Sequence, residues 1–196
     1  MKSLRKKQLI NATLESVAQY GLQNTTIVTI SRLAGLSSGI ISHYFGGKQG
    51  LVEATVKYLL EQLKLSLLER VAQQPLSPTE RLKSIVDANF SQSQRSVAAT
   101  KMWLSFWAQS MHDPALARLQ HINNKRLYSN LIFSFRQLLD KDSAVIAAQQ
   151  TAAMIDGFWL RSALSPRPEE EFEQAQRLCK NSIDNLLKQY GEVTCL

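Results

Sequence analysis

The amino-acid sequence predicts an all-α protein of about nine helices, in which a head of short helices precedes a body of longer ones. Apolar residues recur at the three- and four-residue spacing of helices, and no segment alternates with the two-residue period of a strand. Six of the eight glycines lie in the first 50 residues, which suits short helices joined by tight turns. All five prolines lie beyond residue 74, where they mark the ends of longer helices.

The first helix is expected from about Ser3 to Tyr20. Gly21 should end it, because glycine tolerates the left-handed backbone conformation. The apolar spacing predicts a buried face made of Ile10, Leu14, Val17 and Ala18.

Residues 26–45 have the pattern of two short helices joined by a tight turn. The second helix is expected over 27–34 with Thr26 as its cap, and the third runs to Phe45 from a cap at Ser37 or Ser38. Gly35 separates the two helices. The seam between them is predicted to contain Ile30, Leu33, Ala34, Leu36, Ile41 and Phe45.

In the body, capping residues and prolines mark the helix boundaries. Ser77-Pro78-Thr79-Glu80 combines a capping box with proline in the first turn, and Asp113 precedes Pro114 in a similar way. Three glutamates at 169–171 suit the positive end of a helix dipole. The expected body helices are 48–74, 78–93, 97–111, 114–139, 143–164 and a last one that begins at about 169.

The composition is that of a globular protein, with 44% hydrophobic and 20% charged residues. No apolar run approaches the ~18–20 residues that span a bilayer, and no signal-peptide core follows the basic N-terminus. We therefore expect a cytoplasmic protein with no membrane partner. Cys179 and Cys195 are too few for a disulfide framework and too far apart for a metal motif, so a buried free thiol and a tail thiol are expected.

The net charge of +7 is concentrated in the first third of the chain. Residues 1–60 contain seven basic and two acidic residues, a net +5, whereas residues 61–196 contain sixteen basic and fourteen acidic residues, a net +2. A basic head joined to a nearly neutral body suggests that the head binds a polyanion and the body has another role. The positive charge of the head by itself is also compatible with a solvent-exposed surface that binds no polyanion.

The two short helices with a glycine turn predict a helix-turn-helix, which places its second helix in the major groove of DNA. The serines that open that helix lie where backbone N–H groups attract phosphate. Ser42 and His43 can bond base edges, and Ile40 can contact a thymine methyl. Gly39 lets the backbone approach closely. Tyr44 and Lys48 can contact phosphate.

Taken together, these residues make DNA binding the favoured interpretation, although a surface role for His43 or a core role for Tyr44 would be ordinary for either residue alone. The basic residues near the N-terminus add sequence-independent affinity. The expected DNA-binding residues are Arg5, Lys6, Lys7, Thr26, Ser37, Ser38, Gly39, Ile40, Ser42, His43, Tyr44 and Lys48.

All three tryptophans lie in two stretches of the body, 102–108 and 155–161. Trp103 and Trp107 are one helical turn apart, and Asp156 precedes Trp159 by three residues. Indole faces with a carboxylate can hold a quaternary ammonium, which has no N–H to donate. The expected ligand-binding residues are Trp103, Phe106, Trp107, Asp156 and Trp159. Ordinary core packing of these aromatics is the alternative.

Residues 4–63 resemble the DNA-binding head of the TetR family of repressors. The matching residues are Thr25-Thr26, Ala34-Gly35-Leu36-Ser37, Gly39, Tyr44-Phe45, and Lys48 followed by Leu51. The family usually has Tyr-x-His-Phe where this chain has Ser42-His43-Tyr44-Phe45. The choline-responsive branch of the family also has Ser-His-Tyr-Phe at this place. The chain is similar to that branch through 6–10, 39–45, 103–107, 126–131 and 155–161.

The resemblance implies a DNA-binding head at 1–47, within a family domain of about 4–63, and a ligand-binding and dimerisation domain at 48–196. It implies a homodimer paired through the last two helices, so that two heads about 34–36 Å apart read a palindromic operator. It also implies release from double-stranded DNA by choline, and control of glycine betaine synthesis genes under osmotic stress at the bacterial nucleoid. No cofactor is expected.

Other classes of protein remain open from the residues alone. A repressor of the same type with a different cationic or hydrophobic effector is one alternative, and an unregulated DNA-binding protein is another. An enzyme is not expected, because the sequence has no phosphate-cradling glycine loop, zinc-ligand spacing or nucleophile elbow.

Overall fold

The computed structural model describes residues 2–73 and 75–191 of the 196-residue chain. Within these ranges the chain forms helices and no strand, so the predicted all-α class is confirmed. The helices are α1 (Lys2–Asn24), α2 (Ile27–Ala34), α3 (Gly39–Phe45), α4 (Lys48–Gln73), α5 (Pro78–Asn89), α6 (Gln92–Arg95), α7 (Val97–Ser110), α8 (Pro114–Phe135), α9 (Lys141–Ala163) and α10 (Pro168–Gly191). None of these described helices combines the length and the apolar character needed to cross a bilayer.

The chain divides into two compact units. The first unit consists of residues 1–62 and 96–121, and the second of residues 63–95 and 122–196. The predicted boundary between a DNA-binding head and a sensing body, at residues 47–48, concerns function and stays a prediction.

In the first unit, Gly21 interrupts α1, with φ 74° and ψ 162°. The expected helix end at this glycine is therefore present as a break, after which one more turn reaches Asn24. The left-handed φ explains why glycine stands here, because a side chain would strain the backbone.

The predicted buried face of α1 was wrong by about one residue position. Ile10, Leu14 and Ala18 are only half-buried, and Val17 alone is fully buried as expected. The residues that α1 buries are Leu9, Ala12, Thr13, Ser16, Val17 and, beyond the break, Leu22.

Two of these buried residues are polar, and hydrogen bonds explain their burial. The Thr13 hydroxyl donates to the Leu9 carbonyl at 2.8 Å. The Ser16 hydroxyl lies 3.1 Å from the hydroxyls of both Thr25 and Thr29. Because the hydroxyls are satisfied by partners within the protein, burying them costs little. A sequence pattern that counts only apolar residues therefore does not identify the buried face of α1.

The seam between α2 and α3 is confirmed. Ile30 and Ile41 are fully buried together with Leu9 and Leu51, and the other predicted members pack against this cluster. Gly35 ends α2 in the left-handed conformation, with φ 63° and ψ 32°. The turn thus brings two short helices into contact around a small aliphatic core.

In the second unit, the capping box is confirmed: the Ser77 hydroxyl accepts from the Glu80 amide, and the Glu80 carboxylate accepts from the Ser77 amide. The core contains an aromatic cluster in which the Phe172 ring lies 5.7 Å from Trp159, tilted by 59°, and 6.3 Å from Phe90, edge-on at 71°. Cys179 is buried and free, as predicted, whereas the predicted tail thiol Cys195 lies outside the described residues.

Three predicted boundaries differ from the structure. The helix expected over 78–93 ends at Asn89, and a separate turn, α6, follows it. α8 ends at Phe135 instead of residue 139. α9 begins at Lys141 instead of residue 143, because the Asp140 carboxylate accepts from the amides of residues 142 and 143 and so caps the helix earlier.

Candidate functional site

Helix α3 presents a polar surface. Gly39, Ser42 and His43 are exposed, and their spacing of three and four residues places them on one helical face. Ser37 and Ser38 precede this face and are also exposed. The Ser38 side chain makes no capping hydrogen bond, so it is not used to hold the start of its own helix.

Two predicted DNA-binding residues of α3 also belong to the head core. Ile40 and Tyr44 are half-buried and pack against the aliphatic cluster of α1, α2 and α4. The Tyr44 ring lies 4.9 Å from the His43 ring, with an angle of 55° between the planes. Tyr44 therefore braces the exposed His43 from the core side.

Of the three basic residues near the start of α1, all exposed, Lys6 has a defined position. Its ammonium lies 6.0 Å from the Tyr44 ring centre and 5.8 Å from that of Phe45. Cation–π attraction acts over such distances. The contact brings the basic start of α1 beside the end of α3, as a shared polyanion-binding surface requires. Arg5 and Lys7 flank Lys6 along the chain.

Two further predicted residues have structural partners. Thr26 caps α2 through a reciprocal hydrogen-bond pair with Thr29. The Lys48 ammonium, half-buried at the start of α4, donates to the Leu22 carbonyl at 3.2 Å. Both residues fix the ends of helices that frame α3.

The sequence analysis missed the residues that hold these helices in place. Thr25 is fully buried, and its hydroxyl donates to the Gly21 carbonyl at 2.8 Å. The same hydroxyl lies 3.1 Å from the Ser16 hydroxyl. The consecutive threonines before α2 could have indicated the bond from Thr25 to the backbone, since hydroxyl residues in such positions bond nearby backbone groups. No local signal identified Ser16 as their partner.

Among the predicted effector residues, Trp103, Phe106 and Trp107 lie on α7 in the first unit. Trp103 is 4% exposed and Phe106 is fully buried, whereas Trp107 is half-buried. The two indole centres are 6.4 Å apart, and Trp103 meets Phe106 edge-on at 5.7 Å. The predicted one-turn pairing of the indoles is confirmed.

Asp156 and Trp159 lie on α9 in the second unit. Trp159 is buried against Phe172, whereas Asp156 is exposed. Desolvation by the surrounding protein nevertheless raises the pKa of the Asp156 carboxyl to about 6. The five predicted effector residues are thus divided between the two units, three in the first and two in the second.

A recess of about 270 Å³ lies between α9 and α10 in the second unit. Phe158, Arg161, Glu171 and Leu178 are among its lining residues. None of the five predicted effector residues lines this recess.

The chain matches two family descriptions in sequence. Residues 9–55 match "Bacterial regulatory proteins, tetR family", and residues 78–188 match "BetI-type transcriptional repressor, C-terminal". Proteins named HTH-type transcriptional regulator BetI from Ectopseudomonas mendocina and Paraburkholderia phymatum are 49% and 48% identical to it, over 94% and 96% of each pair of chains.

Solved structures share the fold at lower identity. A TetR transcription regulator from Haloarcula marismortui gives a TM-score of 0.81 at 20% identity, covering 93% of this chain and 98% of that one. A transcriptional regulator from Saccharomonospora viridis, in complex with choline, gives 0.76 at 20% identity, covering 93% and 96%. The relatives are named as regulators, which confirms the prediction that the chain is not an enzyme. The chain therefore belongs to the BetI-type transcriptional repressors of the TetR family.

Proposed function

We propose that this repressor binds a palindromic operator as a homodimer, is released by choline, and controls glycine betaine synthesis genes in the cytoplasm, at the nucleoid, during osmotic stress. The observation that carries the proposal is the BetI-type match over residues 78–188, which include all three tryptophans. The choline bound by the Saccharomonospora viridis regulator supports the choice of effector.

The DNA contacts are proposed for the twelve residues predicted from the sequence. Ser42 and His43 on the exposed face of α3 read base edges. The basic start of α1 contacts phosphates, and Lys6 beside Tyr44 supports this common surface. The remaining contacts come from Thr26, Ser37, Ser38, Gly39, Ile40, Tyr44 and Lys48.

Salt dependence separates the two kinds of DNA contact. An operator is first selected from random duplex DNA with the full chain. Lys7→Ala should weaken all duplexes alike and reduce the slope of log affinity against log salt by about one, because one phosphate contact is lost. His43→Ala should leave the slope unchanged and relax base preference at one position of each half-site. Equal effects of the two variants on slope and preference would contradict this assignment.

For the effector, Trp103, Phe106 and Trp107 provide ring faces in the first unit, and Asp156 and Trp159 are the candidates in the second. Trp107 retains exposed surface, whereas Trp103 and Phe106 are enclosed. A desolvated cation–π contact contributes about 2 kcal/mol, which is roughly 30-fold in affinity. We therefore expect calorimetry to show choline binding to Trp107→Ala weakened by about that factor.

The matched control for Trp107 is Val97→Ala, which removes an exposed apolar side chain from the same helix. Val97→Ala should bind choline like the unmodified protein. Asp156→Asn and Trp159→Ala are titrated separately, since each tests the second unit alone. Choline binding that survives unchanged in Trp107→Ala would remove α7 from the effector site.

The choline response itself is tested by fluorescence anisotropy on the selected operator. Saturating choline should weaken operator binding, whereas its uncharged carbon analogue 3,3-dimethylbutanol should not, because ring faces attract the cation. Release by other cations or by hydrophobic compounds, but not by choline, would favour a different effector. Operator affinity that no compound changes would favour an unregulated DNA-binding protein.

Homodimerisation through α9 and α10 is supported by an exposed apolar stripe on α9. Ile146, Ala153, Gly157, Leu160 and Leu164 follow helical spacing and are all exposed, Leu164 to 67%. A small residue in the middle of such a stripe allows a partner helix to approach closely, and a Cβ added at Gly157 meets nothing within 4 Å. On α10, Leu178 is exposed as well.

The open space at Gly157 makes a sharp test possible. A Cβ at position 157 meets nothing within 4 Å in the protomer, and replacing glycine by leucine favours helix formation by up to about 1 kcal/mol, yet Gly157→Leu should block a closely packed partner helix. We expect sedimentation to show dimers for the unmodified protein and monomers for Gly157→Leu. The control Ala117→Leu enlarges an exposed residue of α8 and should remain dimeric. A dimeric Gly157→Leu would place the interface elsewhere.

A further inference from the structure

The tryptophan helix and the DNA-reading helices belong to the same compact unit. α7 lies in the first unit with α1, α2 and α3, and its packing against α1 is among the most extensive in the described chain. Movement of α7 therefore reaches α1 directly, by contact within one unit.

Lys101 connects α7 to α1. Its ammonium donates a hydrogen bond to the Ala18 carbonyl at 2.5 Å. Ala18 lies three residues before the break of α1 at Gly21. Carbonyls near a helix end carry partial negative charge, which makes an ammonium there favourable. The Lys101 side chain is exposed, so the bond is made at the surface, and the aliphatic core of the head does not depend on it.

Gln49 makes the corresponding connection from the start of α4. Its side-chain amide donates to one carboxylate oxygen of Asp113, the residue just after the turn that ends α7. The other carboxylate oxygen of Asp113 accepts from the amides of Ala115 and Leu116 at 2.8 and 3.1 Å. Asp113 thus caps α8 and, at the same time, holds the start of α4.

The two connections meet in the elements that carry DNA contacts. Lys101 acts on the end of α1, whose beginning carries the basic residues. Gln49 is the neighbour of Lys48, which itself donates to the Leu22 carbonyl beyond the break of α1. The end of α1 and the start of α4 are therefore bonded to each other and to the segment that contains Trp103 and Trp107.

We propose that Lys101 and Gln49 are positioning residues that couple effector binding at the tryptophans of α7 to operator binding, an inference that rests on the choline response proposed above. When choline moves the tryptophan face of α7, Lys101 carries the end of α1 with it, and Asp113 carries the start of α4 through Gln49. Coupling is reciprocal, so the operator weakens choline by the same factor by which choline weakens the operator.

The test measures this coupling factor, not either affinity alone. Choline affinity is determined with and without saturating selected operator, for the unmodified protein, Lys101→Met and Gln49→Met. Each substitution keeps most of the side-chain length and removes the hydrogen-bond donor. Couplings of this kind are typically about 5- to 150-fold. We expect each variant to lower the factor at least threefold and the double variant to bring it close to one.

Three controls make the result specific. Lys101→Arg restores a donor and should restore the coupling. Lys57→Met removes an exposed ammonium of α4 that pairs only weakly, at 3.5 Å, with Glu53 of the same helix, and should leave the coupling unchanged. Choline affinity without DNA and operator affinity without choline should stay within about twofold of the unmodified protein in every variant, because the bonds are at the surface.

Two outcomes would overturn the inference in different ways. If the unmodified protein shows coupling and the double variant retains it, Lys101 and Gln49 have no positioning role, while the proposed function stands. If the unmodified protein shows no coupling between choline and operator, the proposed function fails, and this inference fails with it.

Discussion

The two compact units hold their helices together by different polar contacts. In the first unit, neutral hydroxyl pairs join Ser16 to Thr25 and Thr29. Charge-assisted bonds from Lys48 and Lys101 to carbonyls, and from Gln49 to Asp113, supplement these pairs. In the second unit, ion pairs join α4, α5 and α10. Neutral hydroxyl pairs between helices thus characterise the first unit, and ion pairs between helices characterise the second.

Asp87 shows the second arrangement most clearly. Its carboxylate pairs with Arg70 of α4 at 3.3 Å, with the Gln176 amide of α10 at 2.5 Å and with Lys180 of α10. Three helices of the second unit thus meet at one residue of α5. In the first unit, by contrast, the exposed Lys101 adds one polar bond to the extensive packing of α7 against α1.

The largest expected effect concerns the aromatic core of the second unit. Phe172→Ala removes the ring that lies between Trp159 and Phe90. Truncation of a fully buried phenylalanine lowers the free energy of unfolding by about 3–5 kcal/mol. Urea denaturation at a fixed protein concentration measures this loss in the free energy of unfolding. Leu68→Ala, an exposed apolar residue of the same unit, is the control and should change little. A small effect of Phe172→Ala would mean that the aromatic cluster contributes little to the stability of this unit.

The next effect concerns Arg81, which ties α5 to α8. Its guanidinium donates to the Asn130 carbonyl and side chain, both at 2.7 Å, and to the Ser134 hydroxyl at 2.9 Å. Arg81→Met should lower the free energy of unfolding by about 2 kcal/mol, because hydrogen bonds to a charged group are lost.

Arg167 provides the matched comparison for Arg81. It forms an ion pair with Glu170 at 3.2 Å in which both side chains are well exposed. Arg167→Met should cost about 0.5 kcal/mol or less, as exposed pairs usually do. Equal costs for the two arginine variants would remove the distinction between the two kinds of contact.

A smaller effect is expected in the first unit. Ser16→Ala removes the hydroxyl that Thr25 and Thr29 share, and should cost about 1 kcal/mol. Hydrogen exchange should show the loss mainly in the amides of α2, since the contact holds that helix against α1. The exposed Ser37→Ala is the control. Faster exchange in the second unit as well would show that the units do not open separately.

The smallest effect is expected from Asp156, whose partial exposure screens its charge. Its pKa is raised from 3.8 to about 6 by desolvation, so the folded protein binds its proton more tightly than the unfolded chain. The carboxyl therefore lowers stability progressively as pH rises from about 4 to 6, and its full penalty is present above. Asp156→Asn should be more stable than the unmodified protein at pH 7.5 but not at pH 3.5. A constant difference at both pH values would contradict the raised pKa.

Much of the fold was predictable because helix boundaries are encoded locally. The Ser77–Glu80 capping box and the Gly35 turn involve residues within about four positions of one another, and both are present as expected. The α2–α3 seam also followed from helical spacing. The buried face of α1 did not, because Thr13 and Ser16 look polar in sequence and are buried only through hydrogen bonds.

The candidate site was predictable in the same local sense. The exposed Ser42 and His43, and the one-turn pairing of Trp103 with Trp107, follow from position along a helix. The sequence by itself thus determined the helices, the exposed polar face of α3 and the basic N-terminal region. Only the tertiary structure decided that the tryptophans fall into different units and that Lys101 bonds a carbonyl 83 residues away. Helical periodicity acts over a few residues, whereas such contacts depend on how distant helices pack.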